Sequence, residues 1–579
     1  MRRILFTIAA AAAALLSGCS GHQTTAPEPE EDSRSHQEIL FEDGNYAMFI
    51  HFGLYSKMEG VWKDKVYRGN AEWLMNSSQA GIPVDEYMAE AAGFNPAGFD
   101  ADAIAQLALD AGMKYIVITS KHHEGFAMFD SDACDFNIHD ATPFGRDAMG
   151  ELAEACHKRG LGIGFYYSQF QDWTCPGGGH GPKTDATGRE VTFEEYFRTK
   201  CVPQVEELTT KYGEIELIWF DTPGTMDAKY SEELVELVHR NQPGCLVSSR
   251  VGNGLGDYET LGDMEVPPLN VDGRWEGIDV MQVGWGFSRE DHEWKSPEYV
   301  LRTLLSTVAR GGTFMMNVGP DHNGCIPEPA QESLRKAGQW VKKYPQAVYG
   351  AGASPWGHAL QWGDAVTQGD RLILLVYEWP SDGILPLPGL KTPVGSARIA
   401  GGKALRMTSI DGIPALKVPA TAPEEMASVI ELTFDGTPEV DGTFAVLPGC
   451  RTEISAAFSE AEKGYVGKTG YMHRFGEWIT VWTARKLEEG ASVKWTFDIP
   501  TEGYYDISLR FKGEGYPQFR LETDEGEVIT NQQPARETYE WERMGWLRFS
   551  PGRHSVTVTF PDSDISSLGI SHLSIEKAI

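Results

Sequence analysis

Asp221 is the side chain with the clearest chemical prospects. It ends the run Gly213–Pro223, in which an apolar stretch meets a carboxylate and then a turn at Pro223-Gly224. Short runs rich in branched and aromatic residues read as buried strands of a parallel sheet. A carboxylate at the C-terminal tip of such a strand stands where barrel active sites are built, although an aspartate there can simply cap the turn. Other polar groups recur where apolar runs stop: His51, His122, His123, Tyr166 and Arg250. Each has a plainer reading, as a satisfied core histidine, a backbone-bonded loop or a surface ion pair. Their shared position at one barrel mouth favours a site. No third ligand stands at zinc-like spacing from the paired histidines, so no metal is expected there.

Carboxylates, imidazoles and aromatics around a barrel mouth suit cleavage of a glycosidic bond. That reaction needs two carboxyl groups flanking the bond, one facing the anomeric carbon and one giving a proton to the leaving oxygen. Asp221 is the first. The second is expected in Gly254–Pro267, which carries Asp257, Glu259, Asp263 and Glu265, or at Glu276 just beyond.

An α/β barrel, (β/α)8-like, must position these groups. From about Phe41 to Gly350 strand-like and helix-like segments alternate. Strands are expected at Ala47–His51, Tyr115–Thr119, Leu161–Tyr167, Cys245–Ser249 and Thr313–Val318, besides the one carrying Asp221. Helices are expected at Asp100–Ala111 with Gly112 as C-cap, at Asp147–Arg159 closed by Gly160, at Glu194–Tyr212 and at Ser231–Asn241. A further helix starts at Ser296-Pro297, an N-cap followed by proline, and runs to Arg310. The catalytic domain is placed at 37–350. Residues 351–436 read as an antiparallel β domain. Residues 442–579 read as a C-terminal β-sandwich, with strands at Ser492–Ile499, Tyr504–Phe511, Gln518–Glu522, Trp546–Phe549 and Arg553–Phe560.

The first residues read as an address. Arg2 and Arg3 precede a short apolar run, Ile4–Leu16, too short for a comfortable membrane span. The run ends in Leu16-Ser-Gly-Cys19, which resembles a bacterial lipobox. That resemblance implies a signal peptide over 1–19, lipidation of Cys19 and a lipid anchor in the bacterial envelope, the outer membrane being the expected one. Residues 20–36 then form a polar, acidic tether expected to be disordered.

Composition narrows the partners. Lys and Arg total 50 against 83 Asp and Glu, a net charge of −33, which argues against a nucleic-acid partner. The eight cysteines show neither a disulfide framework nor a metal-ligand spacing. No phosphate loop or nucleotide fingerprint is present, so no cofactor is expected. A structural calcium ion in the sandwich is left open.

Eight stretches together resemble the α-L-fucosidases of glycoside hydrolase family twenty-nine. They are Met48–Gly53, Glu72-Trp73, Lys121–Phe126, Phe165–Ser168, Trp219–Asp221, Trp275-Glu276, Val283–Gly286 and Gly311–Pro320. The resemblance implies a fucosylated glycan as substrate and a retaining mechanism with Asp221 as nucleophile. It further implies a fucose pocket lined by His51, Glu72, Trp73, His122, His123, Tyr166, Trp219 and Arg250. Trp285 or Phe287 would cover the C5-methyl of the sugar. Many family members carry a glutamate, and some an aspartate, four before a proline in the variable acid/base segment. Asp263 holds that place before Pro267 and is the first choice, with Glu265 and Glu276 as alternatives and Glu259 last. An α-L-galactosidase on the same scaffold and a fucose-binding surface lectin are the rival readings. Trp478, Trp482 and Tyr516 of the sandwich are expected either to stack on sugar or, more simply, to fill its core.

Overall fold

The computed structural model describes residues 34–447, 449–472, 478–561 and 564–578. The expected signal peptide, Cys19 and nearly all of the expected tether lie outside the described residues. At the tether's end, Ser35 already caps helix α1 (His36–Glu42), closing a capping box with Glu38.

Eight parallel strands form the central sheet: β1 (Tyr46–Ile50), β2 (Tyr115–Lys121), β3 (Gly162–Tyr167), β4 (Leu217–Phe220), β5 (Leu246–Val247), β6 (Glu259–Thr260), β7 (Trp275–Val280) and β8 (Thr313–Val318). Their order is β5-β4-β3-β2-β1-β8-β7-β6. A parallel bridge between Ser248 and Tyr258 joins the two end strands, so the sheet curls into a (β/α)8-like barrel. Around it pack α2 (Ala101–Ala111), α3 (Ala148–Arg159), α4 (Val202–Thr210), α5 (Ala228–Asn241), α6 (Pro297–Ala309) and α7 (Glu328–Lys343). The caps follow from sequence. Asp100, Asp147 and Ser296 each accept from a backbone N–H three residues on. Gly112 and Gly160 end their helices at φ 81° and 68°, where a side chain would be strained.

Three expectations need correction. The long helix at Glu194–Tyr212 is broken into Phe193–Tyr196, a π turn at Phe197–Cys201, and α4. Pro203 lacks the N–H for the regular ladder and its ring crowds the carbonyl one turn back, so the π turn takes up the misfit. β5 is only two residues long because the chain turns at once into the short 3-10 helix Ser249–Val251, which carries Arg250. β6 and β7 were not expected as strands. β7 contains Glu276 and Asp279 yet is buried throughout, because both carboxyls find donors inside the protein.

Alternation along the strands decides what faces the barrel axis. Ala47 and Phe49 of β1, Leu217 and Trp219 of β4, and Tyr166 of β3 share one apolar interior with Tyr115, Val117, Ile278 and Met315. The same parity carries on past the strand ends to His51 and Asp221.

After the barrel come a four-stranded and a three-stranded antiparallel sheet. Then two larger antiparallel sheets share a core around Trp495, Phe497, Tyr505 and Ile507, the expected sandwich. Lys468 of this sandwich pairs with Glu265 at 3.0 Å. The Thr480 hydroxyl donates to the Asp263 carbonyl at 3.3 Å. The sandwich therefore sits on the loop between β6 and β7.

Candidate active site

Asp221 follows β4 at the barrel mouth and is buried. One carboxylate oxygen accepts from the Tyr166 hydroxyl at 2.9 Å, with His123 Nε2 at 3.5 Å. The other accepts from Arg250 at 3.1 Å. Burial alone would raise its pKa, but the Arg250 charge, His123 and the Tyr166 hydrogen bond outweigh it and hold the carboxyl below its usual range. Asp221 is thus ionised at neutral pH.

The second guanidinium nitrogen of Arg250 donates to Asp263 at 2.5 Å and to the Leu261 carbonyl at 3.2 Å. One rigid fork therefore spans both carboxylates and sets their separation. The guanidinium lies 4.8 Å above the centre of the Trp219 ring, and that ring stacks on Tyr166 at 5.4 Å and 18°. Residues Thr222 and Met264, each directly after one of the two carboxylates, have φ of 46° and 49°. Such backbone strain costs of order 1–3 kcal/mol per residue and collects at sites that need a side chain aimed.

The histidines are neutral. Burial lowers His51 to about 3 and His123 to about 4, and takes His122 well below the usual value. His51 is held by Asn317 at 2.7 Å, and Asn317 donates to the Trp285 carbonyl at 2.8 Å. His123 Nδ1 meets Ser168 at 2.7 Å. Burial pushes Glu72 up to about 7. One of its oxygens accepts from Gly286 N–H at 2.8 Å, and the other has no hydrogen-bond partner among the described residues.

These groups enclose a cavity of about 340 Å³. His51, Glu72, Trp73, His122, His123, Tyr166, Trp219, Asp221, Arg250, Asp263 and Trp285 all line it. The structure thus brings together the expected site residues while leaving the two alternative acids outside. Glu265 is buried between Gly262 N–H and Lys468. Glu276 lies beneath the floor, where it accepts from the Trp219 indole at 2.6 Å, and burial raises it to about 7. Glu259 is exposed. Phe287 stacks beside Trp294 and does not line the cavity.

Phe49, Asn70, Thr222 and Trp478 line the cavity too, and sequence reasoning did not assign them to it. Phe49 was within reach, because it shares the inward parity of His51. Trp478 carried no local signal, since its place depends on how the sandwich docks. Among the described residues, the group spaced to hold a metal ion is Asp130, His139 and Asp140, none of which lines the cavity.

A small cavity with neutral hydrogen-bonding groups, aromatic walls and two carboxylates suits one uncharged sugar ring and its cleavage. The family model described as alpha-L-fucosidase matches residues 15–346. The alpha-L-fucosidase of Dictyostelium discoideum is 28% identical over 426 residues, covering 66% of this chain and 89% of that protein. The crystal structure of alpha-L-fucosidase from Vibrio sp. strain EJY3 superposes with a TM-score of 0.75 at 27% identity, covering 92% of this chain and 97% of that one. Alpha-L-fucosidase isoenzyme 1 from Paenibacillus thiaminolyticus superposes with a TM-score of 0.62 at 32% identity, covering 69% of this chain and 99% of that one.

Proposed function

The chain belongs to the alpha-L-fucosidase family of glycoside hydrolases, and from that premise we propose that it releases terminal α-L-fucose from glycans with retention, through a covalent fucosyl-enzyme on Asp221. The observation that carries this reading is the single Arg250 fork shared by Asp221 and Asp263 at the barrel mouth.

Asp221 is ionised and attacks the anomeric carbon. Asp263, which must carry a proton in the substrate complex, gives it to the departing glycosidic oxygen and then takes one from the water that frees the sugar. The neutral imidazoles of His51, His122 and His123 exchange hydrogen bonds with the ring hydroxyls. Glu72, with one oxygen unpartnered, does the same. Trp285 covers the apolar C5-methyl. No step calls for a metal or a cofactor. The lipobox-like Leu16-Ser-Gly-Cys19 supports a protein lipid-anchored to the bacterial envelope.

Asp221→Ala should lower turnover of an aryl α-L-fucoside by about four orders of magnitude or more. Added azide should restore part of it and yield the β-fucosyl azide. Normal activity in Asp221→Ala would remove the nucleophile assignment. Tight fucose binding without turnover by the native protein would favour the lectin reading.

A further inference from the structure

We propose that Trp478 of the terminal sandwich forms the binding surface for the leaving-group sugar, a neutral pyranose ring, at the mouth of the catalytic cavity. The inference rests on the α-L-fucosidase reading and deepens it.

Trp478 opens the strand Trp478–Arg485. It is one of the few large apolar side chains left exposed, at 39%. It lines the same cavity as Asp221 and Asp263, whose other lining residues, among those described, lie between Phe49 and Trp285. An indole at the mouth of a sugar-sized cavity offers a flat apolar face on which the C–H face of a sugar packs.

The ring is held in place. The neighbouring strand Tyr465–Met472 sets Gly470 opposite Thr480. A Cβ at Gly470 would stand 2.1 Å from Trp478 Cζ2 and 2.6 Å from Cε2. The indole therefore lies against bare glycine backbone, a space no other residue leaves open.

Its distance from the chemistry is held as well. Thr480, two residues along the strand, donates to the Asp263 carbonyl. Lys468 on the neighbouring strand pairs with Glu265. A Cβ at Gly262 would lie 2.7 Å from the Thr480 hydroxyl, so loop and strand are in close contact. The sandwich thus holds Trp478 in register with the group that protonates the leaving oxygen. A sugar bonded through that oxygen must lie on the Asp263 side of the cavity, and the strand of Trp478 meets the loop of Asp263 through Thr480.

The test compares two substrates in the full-length protein. α-L-Fucosyl fluoride has no leaving-group ring and needs little protonation. A fucosylated disaccharide, the best of a panel of linkages, has both. The readout is the ratio of kcat/KM for the disaccharide to kcat/KM for the fluoride. Trp478→Ala should lower this ratio roughly tenfold, and Trp478→Phe should keep most of it. Gly470→Val, which leaves the indole in the chain but displaces it, should lower the ratio as well. A ratio within twofold of native in Trp478→Ala overturns the proposal, as does an equal loss on both substrates. Native protein inert on both substrates would instead overturn the fucosidase reading, and this proposal with it.

Discussion

The floor and the rim of the cavity are made of different material. The floor is barrel: His51, Tyr166, Trp219 and Asp221 stand at strand ends, buried, on the inward parity of strands whose ladder fixes their register. The rim is loop and sandwich: Asp263 is 30% exposed, and Trp478 comes from a separate pair of sheets. In the proposed mechanism the floor handles the sugar held on the enzyme through the reaction, and its polar groups are correspondingly buried. In that mechanism the rim handles the group that departs, which requires it to donate a proton and let its ligand go. Arg250 bonds to a carboxylate of each.

Asp263 gives the largest contrast. Asp263→Ala should cost about 10²- to 10⁴-fold on a substrate with a poor leaving group, the range of a lost general acid, and far less on an activated fluoride. Leaving-group dependence of kcat/KM measures this directly. If Glu265→Ala shows that pattern and Asp263→Ala does not, the roles exchange.

Glu72 probes the dryness of the floor. Its folded pKa is raised by burial from 4.5 to about 7. Below pH 4.5 both folded and unfolded chains hold the proton and nothing is lost. As pH rises from there through about 7, the unfolded chain sheds its proton first, and stability falls by about 3 kcal/mol in all. Glu72→Gln has no such slope. Urea unfolding at a series of pH values should therefore show the variant gaining on the native protein by about that amount between pH 4.5 and 8. Parallel curves would mean that the floor is wet.

The smallest effect on turnover is expected where the rim is fastened. Lys468→Met removes the cation facing buried Glu265 and leaves that carboxylate with the Gly262 N–H, so it should cost about 3 kcal/mol of stability with only a few-fold loss in turnover. A loss as large as that of Asp263→Ala would mean that the sandwich contact governs the acid itself.

The same division explains what was legible in the sequence. Floor residues announce themselves, because an apolar run ending in a polar side chain is a strand meeting a barrel mouth. Trp219 and Glu72 came only through the family resemblance, since an indole inside a strand and a glutamate in a loop have ordinary explanations. β7 escaped notice because Glu276 and Asp279 interrupt its apolar pattern, and their partners Trp219, Thr260 and Tyr299 are remote in sequence. The break before α4 was readable at Pro203. The choice between Asp263 and Glu265 stayed open in sequence because Lys468, which occupies Glu265, belongs to another domain. Sequence places Trp478 in the sandwich, to stack on sugar or to fill the core, and says nothing of the cavity it walls.

The sheet that carries Trp478 has a consequence for the time at which the enzyme is finished. Its strand pairs on one side with Tyr465–Met472 and on the other, through Ala484 and Ile570, with Gly569–Lys577. Domains generally fold as units in the order in which they leave the ribosome. The barrel, with Asp221 and Asp263 in it, is out long before residues 569–577 exist to close that sheet. A nascent chain can therefore hold the proposed nucleophile and acid while the outer wall of the cavity is still missing. On the proposed reading, trimming those same residues from a finished molecule returns it toward that earlier state, with its chemistry intact and its choice of substrate relaxed.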